Sequence, residues 1–252
     1  MFRLYDTNGL VFWSDKEIRL RRMFEDYFAS ELQRVLLSMN PAWKFHRIEA
    51  PQLTPRELIN PNYTDEDVWA FDDGLVLRPE TTPGSYRFAS LLLTNAKPEK
   101  PPFVVWQAGK SFRREQDQVS KNMRLKEFYQ QEFQCLFTAD TKNDYHSAII
   151  EPVRVMVTEM IGLPSRTVPS DRLPSYSLKT IDVEVYNGDK WMEVSSISLR
   201  TDFPDKARFT TKKGLVEKDL MVLEVAIGLY RCVYNFIRRT SKCLSPESTP
   251  EQ

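Results

Sequence analysis

Histidine and cysteine are scarce in this chain: His46 and His146 are the only two histidines, and Cys135, Cys232 and Cys243 the only three cysteines, among 252 residues. The cysteines are odd in number and widely spaced, with no CxxC pair. That spacing excludes a zinc-ribbon type of metal site and leaves reduced thiols packed as small apolar groups. Neither histidine has a context that suggests catalysis. Net charge is also absent, with 35 basic residues against 35 acidic, so bulk electrostatics do not mark a nucleic-acid binder and any such partner would need a local patch. No apolar run approaches the roughly 18 residues of a membrane helix. The start, Met1-Phe2-Arg3-Leu4-Tyr5-Asp6, lacks the charged-then-apolar order of a signal peptide. A cytoplasmic protein with no membrane partner is expected. A glycine-rich phosphate loop is missing too: Gly109-Lys110-Ser111 matches the end of that pattern, but Val104 stands where its first glycine belongs.

What is present is a composition of 41% hydrophobic and 28% charged residues, that of a globular domain. The most informative segment is Phe112-Arg113-Arg114-Glu115, answered after a polar loop by Arg124-Leu125-Lys126-Glu127-Phe128. Residues two apart share a strand face, so Arg113 and Glu115 point the same way. Guanidinium groups fork onto phosphates, a carboxylate accepts from an exocyclic amine and a phenyl face stacks on a base. The segment is therefore either a nucleotide site or a charged exposed hairpin.

Around it, apolar residues at spacings of three and four predict a helix from Lys16 to Ser38, with Ser14 as its N-cap and Asn40-Pro41 as its stop. Lys44 to Pro51 reads as a strand closed by proline. A polar loop from Asn60 to Asp73 leads to a short strand, Leu75 to Leu77, and then to the charged segment Arg78-Pro79-Glu80-Thr81-Thr82-Pro83-Gly84. A helix over Ser85 to Leu93, strands over Phe103 to Lys110 and Glu127 to Thr138, and a helix over Asp144 to Ile161 come next. Asn187-Gly188-Asp189 joins two alternating runs, Thr180 to Tyr186 and Trp191 to Ser198, as a hairpin. A strand from Leu220 to Ala226 and a helix from Leu229 to Arg239 close residues 1–240 as one domain, and 241–252, rich in Ser, Pro and Glu, read as a disordered tail. Strands fall in runs without regular alternation with helices. The fold class is α+β, a mostly antiparallel sheet flanked by helices, and a doubly wound parallel sheet is excluded.

Three of these segments, taken in order, resemble the motifs of class II aminoacyl-tRNA synthetase catalytic cores, in the subgroup of glycyl, seryl, prolyl, threonyl and histidyl enzymes. Lys44 to Pro51 resembles the first motif, used by family members at a dimer interface. Phe112 to Phe128 resembles the second. Leu223-Glu224-Val225-Ala226-Ile227-Gly228-Leu229-Tyr230-Arg231 resembles the third. Arg78 to Gly84 is similar to the R-P-E-T-A-Q-G loop of glycyl enzymes, whereas Lys179 to Val185, Glu193 to Ser198 and Thr201-Asp202-Phe203 look more like seryl enzymes.

The resemblance implies amino-acid activation with ATP and Mg²⁺, followed by transfer to the 3′ end of tRNA, by a homodimer. It assigns catalysis to Arg113 and Arg231, and ATP binding to these two with Glu115 (adenine amine), Arg124 (γ-phosphate), Phe128 (adenine stacking) and Glu224. Glu193 and Glu224 are the implied Mg²⁺ ligands. Glu80, Thr82, Glu132, Ser196 and Arg200 are implied for the amino acid, with Glu80 and Glu132 on its ammonium and Arg200 on its carboxylate. Glycyl enzymes carry E-P-S where this chain has Glu224-Val225-Ala226, so glycine or another small amino acid stays open as substrate. The loop Gln116 to Met123 lacks the subgroup's P-R-x-G segment, and no anticodon-binding domain follows Arg231. Two alternatives therefore stand beside tRNA charging: transfer of the acyl group to a carrier protein, small molecule or modified nucleic acid, and a non-catalytic dimeric accessory subunit.

Overall fold

The computed structural model describes residues 3–4, 9–114, 123–171, 175–204, 207–211 and 214–243. A short pair, β1 (Arg3–Leu4) and β2 (Val11–Phe12), precedes the long helix α1 (Asp15–Met39). Phe24, Phe28, Leu32, Val35 and Leu36 recur at three and four residues on one side of α1 and are its buried stripe. Ser14 sits at the expected N-cap, yet its hydroxyl bonds the Glu17 side chain and no backbone N–H. Asn40 ends the helix with its N–H on the Leu36 carbonyl.

The chain continues through β3 (Lys44–Arg47), β4 (Leu53–Pro55), β5 (Leu75–Leu77), α2 (Thr82–Thr94), β6 (Phe103–Phe112), β7 (Glu127–Thr138), α3 (Tyr145–Ile161), β8 (Ser165–Pro169), β9 (Ser177–Tyr186), β10 (Trp191–Arg200), β11 (Ala207–Thr211), β12 (Gly214–Lys218), β13 (Leu220–Ile227) and α4 (Leu229–Cys243). Seven strands form the main sheet in the order β3-β6-β7-β13-β10-β9-β8. Every pairing in it is antiparallel except β3 with β6, at one edge. The expected antiparallel sheet flanked by helices is therefore the observed one.

Several expected boundaries move, α2 beginning at Thr82 and not Ser85, and β9 at Ser177 and not Thr180. The strand of Lys44 to Pro51 stops at Arg47: past the Ile48 N–H, which still bonds the Trp106 carbonyl, the backbone turns to side chains, the Ala50 N–H donating to Gln107 Oε1 at 3.2 Å and the Ala50 and Pro51 carbonyls accepting from the Arg78 guanidinium at 2.9 and 3.3 Å. The last helix runs to Cys243, three residues into the segment expected as a tail, and 244–252 lie outside the described residues. Strands β1, β2, β4, β8, β11 and β12 have no counterpart in the sequence reading; β8, Ser-Arg-Thr-Val-Pro, is a polar edge strand with too little alternation to stand out.

Alternation divides the sheet into two unlike faces. Phe133, Cys135 and Phe137 of β7, Leu223, Val225 and Ile227 of β13 and Val183 and Val185 of β9 point toward α1, α3 and α4 and build the main core with them. Each large apolar side chain buried there contributes about 1.5–3 kcal/mol. The residues between them, Gln130, Glu132 and Gln134 on β7 and Glu224 on β13, face the other way. That face is polar over its middle and apolar at one end, where Leu136, Val222, Phe103 and Val105 pack with Ala89 and Leu93 of α2. Two close approaches hold α2 and the nearby loop against it. A Cβ on Gly84 would come 2.3 Å from the Ala50 Cβ, and one on Gly109 would come 2.3 Å from the Arg78 guanidinium.

Candidate active site

The register of the polar face sets its side chains in rows. Glu132, Ala226, Ser196 and Asp182 are consecutive cross-strand partners on β7, β13, β10 and β9, and Gln134, Glu224, Ser198 and Thr180 form the next row. A bulge between Glu193 and Ser195 reverses the alternation of β10, so that Glu193, paired with Glu184, joins the face that carries Ser196 and Ser198. Strict alternation would have sent Glu193 to the helix side. Above the rows lies a cleft of about 540 Å³.

Its floor is a closed hydrogen-bond lattice. Arg200, 1% exposed, donates from Nη1 to Glu224 at 2.6 Å and from Nε and Nη2 to the two Asp202 oxygens at 3.0 and 2.7 Å. The same Glu224 oxygen accepts from Gln134 at 2.7 Å and from the Thr82 hydroxyl at 3.1 Å. Glu132 accepts from the Thr81 and Thr82 hydroxyls at 2.6 and 3.0 Å and from Gln130 at 2.6 Å. Glu80 accepts from the Tyr63 hydroxyl at 3.2 Å and lies 4.0 Å from Arg200. Burial, reinforced by the Glu224 and Glu80 charges, pushes the Glu132 carboxyl up to about 7. Burial also raises Glu80, against the pull of Arg200. Burial acts to lower Arg200, but Glu224 and Asp202 outweigh it and keep the guanidinium charged. Four carboxylates around one buried arginine give the floor a negative bias.

The rim is positive. Arg113 donates to the Pro79 carbonyl at 3.1 Å and to the Tyr63 hydroxyl at 3.0 Å, with its guanidinium carbon 5.4 Å from the Phe128 ring centre. Arg231 donates from Nη1 to the Glu193 carbonyl at 2.9 Å and to its carboxylate at 3.2 Å, while its buried Nε has no partner among the described residues. Arg124 is exposed on the same margin. Phe128 and Tyr230 lie side by side, ring centres 5.2 Å apart, on a small apolar cluster with Met123, Leu125 and Met192.

Of the residues expected from the sequence, Arg113, Arg124, Phe128, Arg231, Glu193, Glu224, Glu80, Glu132 and Ser196 all line this one cleft. Thr82 and Arg200 lie beneath its floor, bonded to its carboxylates, and line a neighbouring cavity of about 500 Å³. Glu115 and the loop through Asn122 lie outside the described residues.

Two expected roles do not fit the geometry. Arg200 spends its donors on Glu224, Thr82 and Asp202, and so is a strut under the floor and not a contact for a substrate carboxylate. Glu193 and Glu224 are not cross-strand neighbours: Glu224 pairs with Ser198, which the bulge sets four register steps along β10 from Glu193, a separation of roughly 13 Å along a strand. Glu224 is 7% exposed and committed to Arg200, which makes it a poor ligand for Mg²⁺. Glu193 is half-exposed and fits a cation that keeps most of its other ligands from phosphates and water. Among the described residues no group of three or more His, Cys, Asp or Glu could hold a metal by itself.

Sequence reasoning missed Tyr63, Tyr176, Asp182 and Tyr230, which also line the cleft. The first two come from loops, where no periodicity marks a buried ring; Tyr176 lies over Arg200 with 4.1 Å between guanidinium carbon and ring centre. Asp182 was readable as a cleft residue, because it alternates with the core residue Val183. Burial and then the Glu193 charge push its carboxyl up to about 6.

Comparison with known proteins agrees with this architecture. Residues 64–238 match the family model described as tRNA synthetase class II core domain (G, H, P, S and T). Among curated proteins the chain is similar to glycine–tRNA ligases: 33% identical over 168 residues to that of Mycoplasma capricolum, covering 64% of this chain and 36% of the relative. The ligase of Mycobacterium bovis is 34% identical over 186 residues, covering 66% and 39%. The chain thus spans little more than a third of the length of these relatives. In fold it is similar to prolyl-tRNA synthetase from Cryptosporidium parvum, solved with halofuginone and AMPPNP, with a TM-score of 0.71 and 13% identity over 94% of this chain and 49% of that one.

Proposed function

The chain belongs to the family of tRNA synthetase class II core domains (G, H, P, S and T), and from that premise we propose that its cleft activates a small amino acid with ATP and passes the acyl group to the 3′ end of tRNA. The observation that carries this reading is the separation of charge within one cleft, acidic at the floor and basic at the rim. An amino acid offers an ammonium for Glu80 and Glu132 below, and ATP offers phosphates for Arg113, Arg124 and Arg231 above. The two substrates' reactive ends then meet between the layers.

In the first step a carboxylate oxygen attacks the α-phosphorus, the bond to the bridging oxygen of the β-phosphate breaks and pyrophosphate leaves. In the second, a terminal ribose hydroxyl of tRNA attacks the acyl carbon, and AMP leaves. Negative charge builds on the phosphate in the first step, and fixed guanidinium groups aimed at it lower the barrier without reorganising. Phe128 and Tyr230 supply the platform for adenine. Mg²⁺ entering on the triphosphate would be held by Glu193 and would neutralise phosphate charge. The cytoplasm, where ATP and tRNA are available, is the expected setting; among the described residues no helix is long and apolar enough to cross a membrane.

The homodimer belongs to the same proposal. Among the described residues, strand β3 leaves one edge unpaired in the sheet. Beside it a cavity of about 530 Å³ is lined by Ile48, Pro51, Leu53, Phe88 and Leu91, of which Leu53 and Leu91 are exposed. A free edge continuous with an apolar groove suits a second copy of this chain. Sedimentation as a dimer at micromolar concentration, lost in Leu91→Glu, is the expected result.

The test of activation is amino-acid-dependent exchange of pyrophosphate into ATP, measured across all twenty amino acids and then repeated with tRNA present to follow acyl transfer. Exchange with none of them removes activation and favours an accessory subunit. Exchange without transfer to tRNA points to another acceptor.

A further inference from the structure

The row that contains Glu132 is closed at one end and open at the other. Toward β6 its partner is Gln107, which is fully buried and donates to the Thr81 carbonyl and the Ser85 hydroxyl. Toward β9 the row continues as Ala226, Ser196 and Asp182, all of which line the cleft. With strands about 4.8 Å apart, a substrate whose ammonium rests on Glu132 has its α-carbon above or near the Ala226 methyl. Its side chain then has one direction to take, along the row toward Ser196 and Asp182.

The neighbouring row offers it little. Glu224 is committed to Arg200, and the Ser198 and Thr180 hydroxyls bond each other at 3.0 Å. The Ser170 and Ser196 hydroxyls act to lower the Asp182 carboxyl against its burial, and a carboxylate with about four lone-pair sites has accepting capacity beyond two such neighbours. Ser196 is only partly buried. Alanine at 226 is the smallest side chain that completes the row, and so it leaves room where a larger one would fill it.

We propose that Ala226, Ser196 and Asp182 form the subsite for the substrate's side chain, and that the amino acid activated carries a hydrogen-bond donor there, a hydroxyl or an amine, in preference to glycine. The proposal rests on the reading that Glu80 and Glu132 take the ammonium. Ala226 sets the space, and the Asp182 carboxylate reads the donor. A site built around an acceptor rejects the analogue that lacks the donor, because that acceptor is left unpaired on binding.

The experiment is equilibrium binding of glycine, alanine, serine and 2,3-diaminopropionate by calorimetry, run beside pyrophosphate exchange with the same four. Serine or diaminopropionate is expected to bind about tenfold or more tighter than alanine. Asp182→Asn should bring that ratio to within about threefold, by weakening serine and diaminopropionate and relieving the penalty on alanine, since the charge-assisted bond is the stronger kind and the unpaired charge the costlier one. Ala226→Val should keep glycine and lose the larger amino acids. Glycine or alanine binding as tightly as serine overturns the proposal, and so does Asp182→Asn weakening all four equally, which would put Asp182 on the nucleotide side. Selective binding without exchange leaves the subsite standing and removes activation. Exchange with glycine alone does the reverse, and binding of none removes both.

Discussion

Arg200 and Arg231 are both arginines paired with a glutamate in the same cleft, yet they are placed for opposite work. Arg200 is 1% exposed, and its Nε, Nη1 and Nη2 all donate, to Asp202, Glu224 and Thr82. The Arg231 side chain is 14% exposed, its partner Glu193 is 48% exposed, and the pair is 3.2 Å apart. The first is a strut whose bonds are already made, and the second, on the function proposed above, a charge that changes partners when a phosphate arrives. The difference shows that charge alone does not make a binding residue; uncommitted donors do. Arg200→Ala should therefore strike stability first. It strands Glu224 without its cation under the floor, and breaking a buried pair by removing one partner costs about 3–5 kcal/mol. Denaturant unfolding measures it, and Glu224→Gln added to Arg200→Ala should recover part of the loss, since the two share one interaction. Simple additivity would show that the lattice is not a unit.

The rim variants should invert that result. Arg113→Ala and Arg231→Ala are expected to reduce pyrophosphate exchange about 10²–10³-fold, the range for loss of one preorganised group that meets developing charge, with unfolding free energies within about 1 kcal/mol of the parent. An unfolding loss as large as that of Arg200→Ala would erase the distinction between floor and rim.

How far the two layers were legible in the sequence follows from the same physics. The strand and helix segments that carry the site stood out because period two and period three to four are written in neighbouring residues, as in Glu127 to Thr138, which forms one strand over its whole expected length. The expected site residues came from two of the three ordered motifs and from the segments between them, and nine of them line one cleft. Their partners did not stand out. That Arg200 is bound to Asp202 and Glu224 depends on a two-residue excursion past the end of β10 and on the β10–β13 register, neither of which periodicity encodes. The bulge at Glu193 and Ser195 is a single inserted residue with no glycine or proline to mark it. Tyr63 and Tyr176 reach the cleft from loops, where only tertiary packing decides direction.

Protonation offers a finer cut between the layers. Burial and neighbouring carboxylates push the Glu132 carboxyl up to about 7 from an ordinary 4.5. Its folded value lies above its unfolded value, so the stability it contributes is fully present below about pH 4.5 and is lost as pH rises through about 7. Glu132→Gln mimics the protonated group at every pH. The variant should match the parent near pH 4.5 and exceed it by about 3 kcal/mol above pH 8, since each tenfold change in proton affinity between the folded and unfolded chains is worth about 1.4 kcal/mol. Denaturant titrations at both ends check this, and a difference that stays flat would mean that Thr81, Thr82 and Gln130 hold the charged form instead.

The smallest effect on stability, and the sharpest contrast, is expected from Glu193→Gln. The half-exposed pair with Arg231 exchanges little free energy with water, in the range of about 0–1 kcal/mol for such contacts. The Glu193 carbonyl still accepts from Arg231 in the variant, at 2.9 Å in the parent, so the arginine keeps an anchor. Unfolding should therefore move by less than about 1 kcal/mol. Exchange should behave differently, because the variant loses the carboxylate proposed to hold Mg²⁺: the Mg²⁺ concentration giving half-maximal exchange should rise about tenfold or more. If half-maximal Mg²⁺ is unchanged while unfolding shifts by several kcal/mol, Glu193 belongs with Arg200 and Glu224 as part of the floor, and the line drawn between the two layers is in the wrong place.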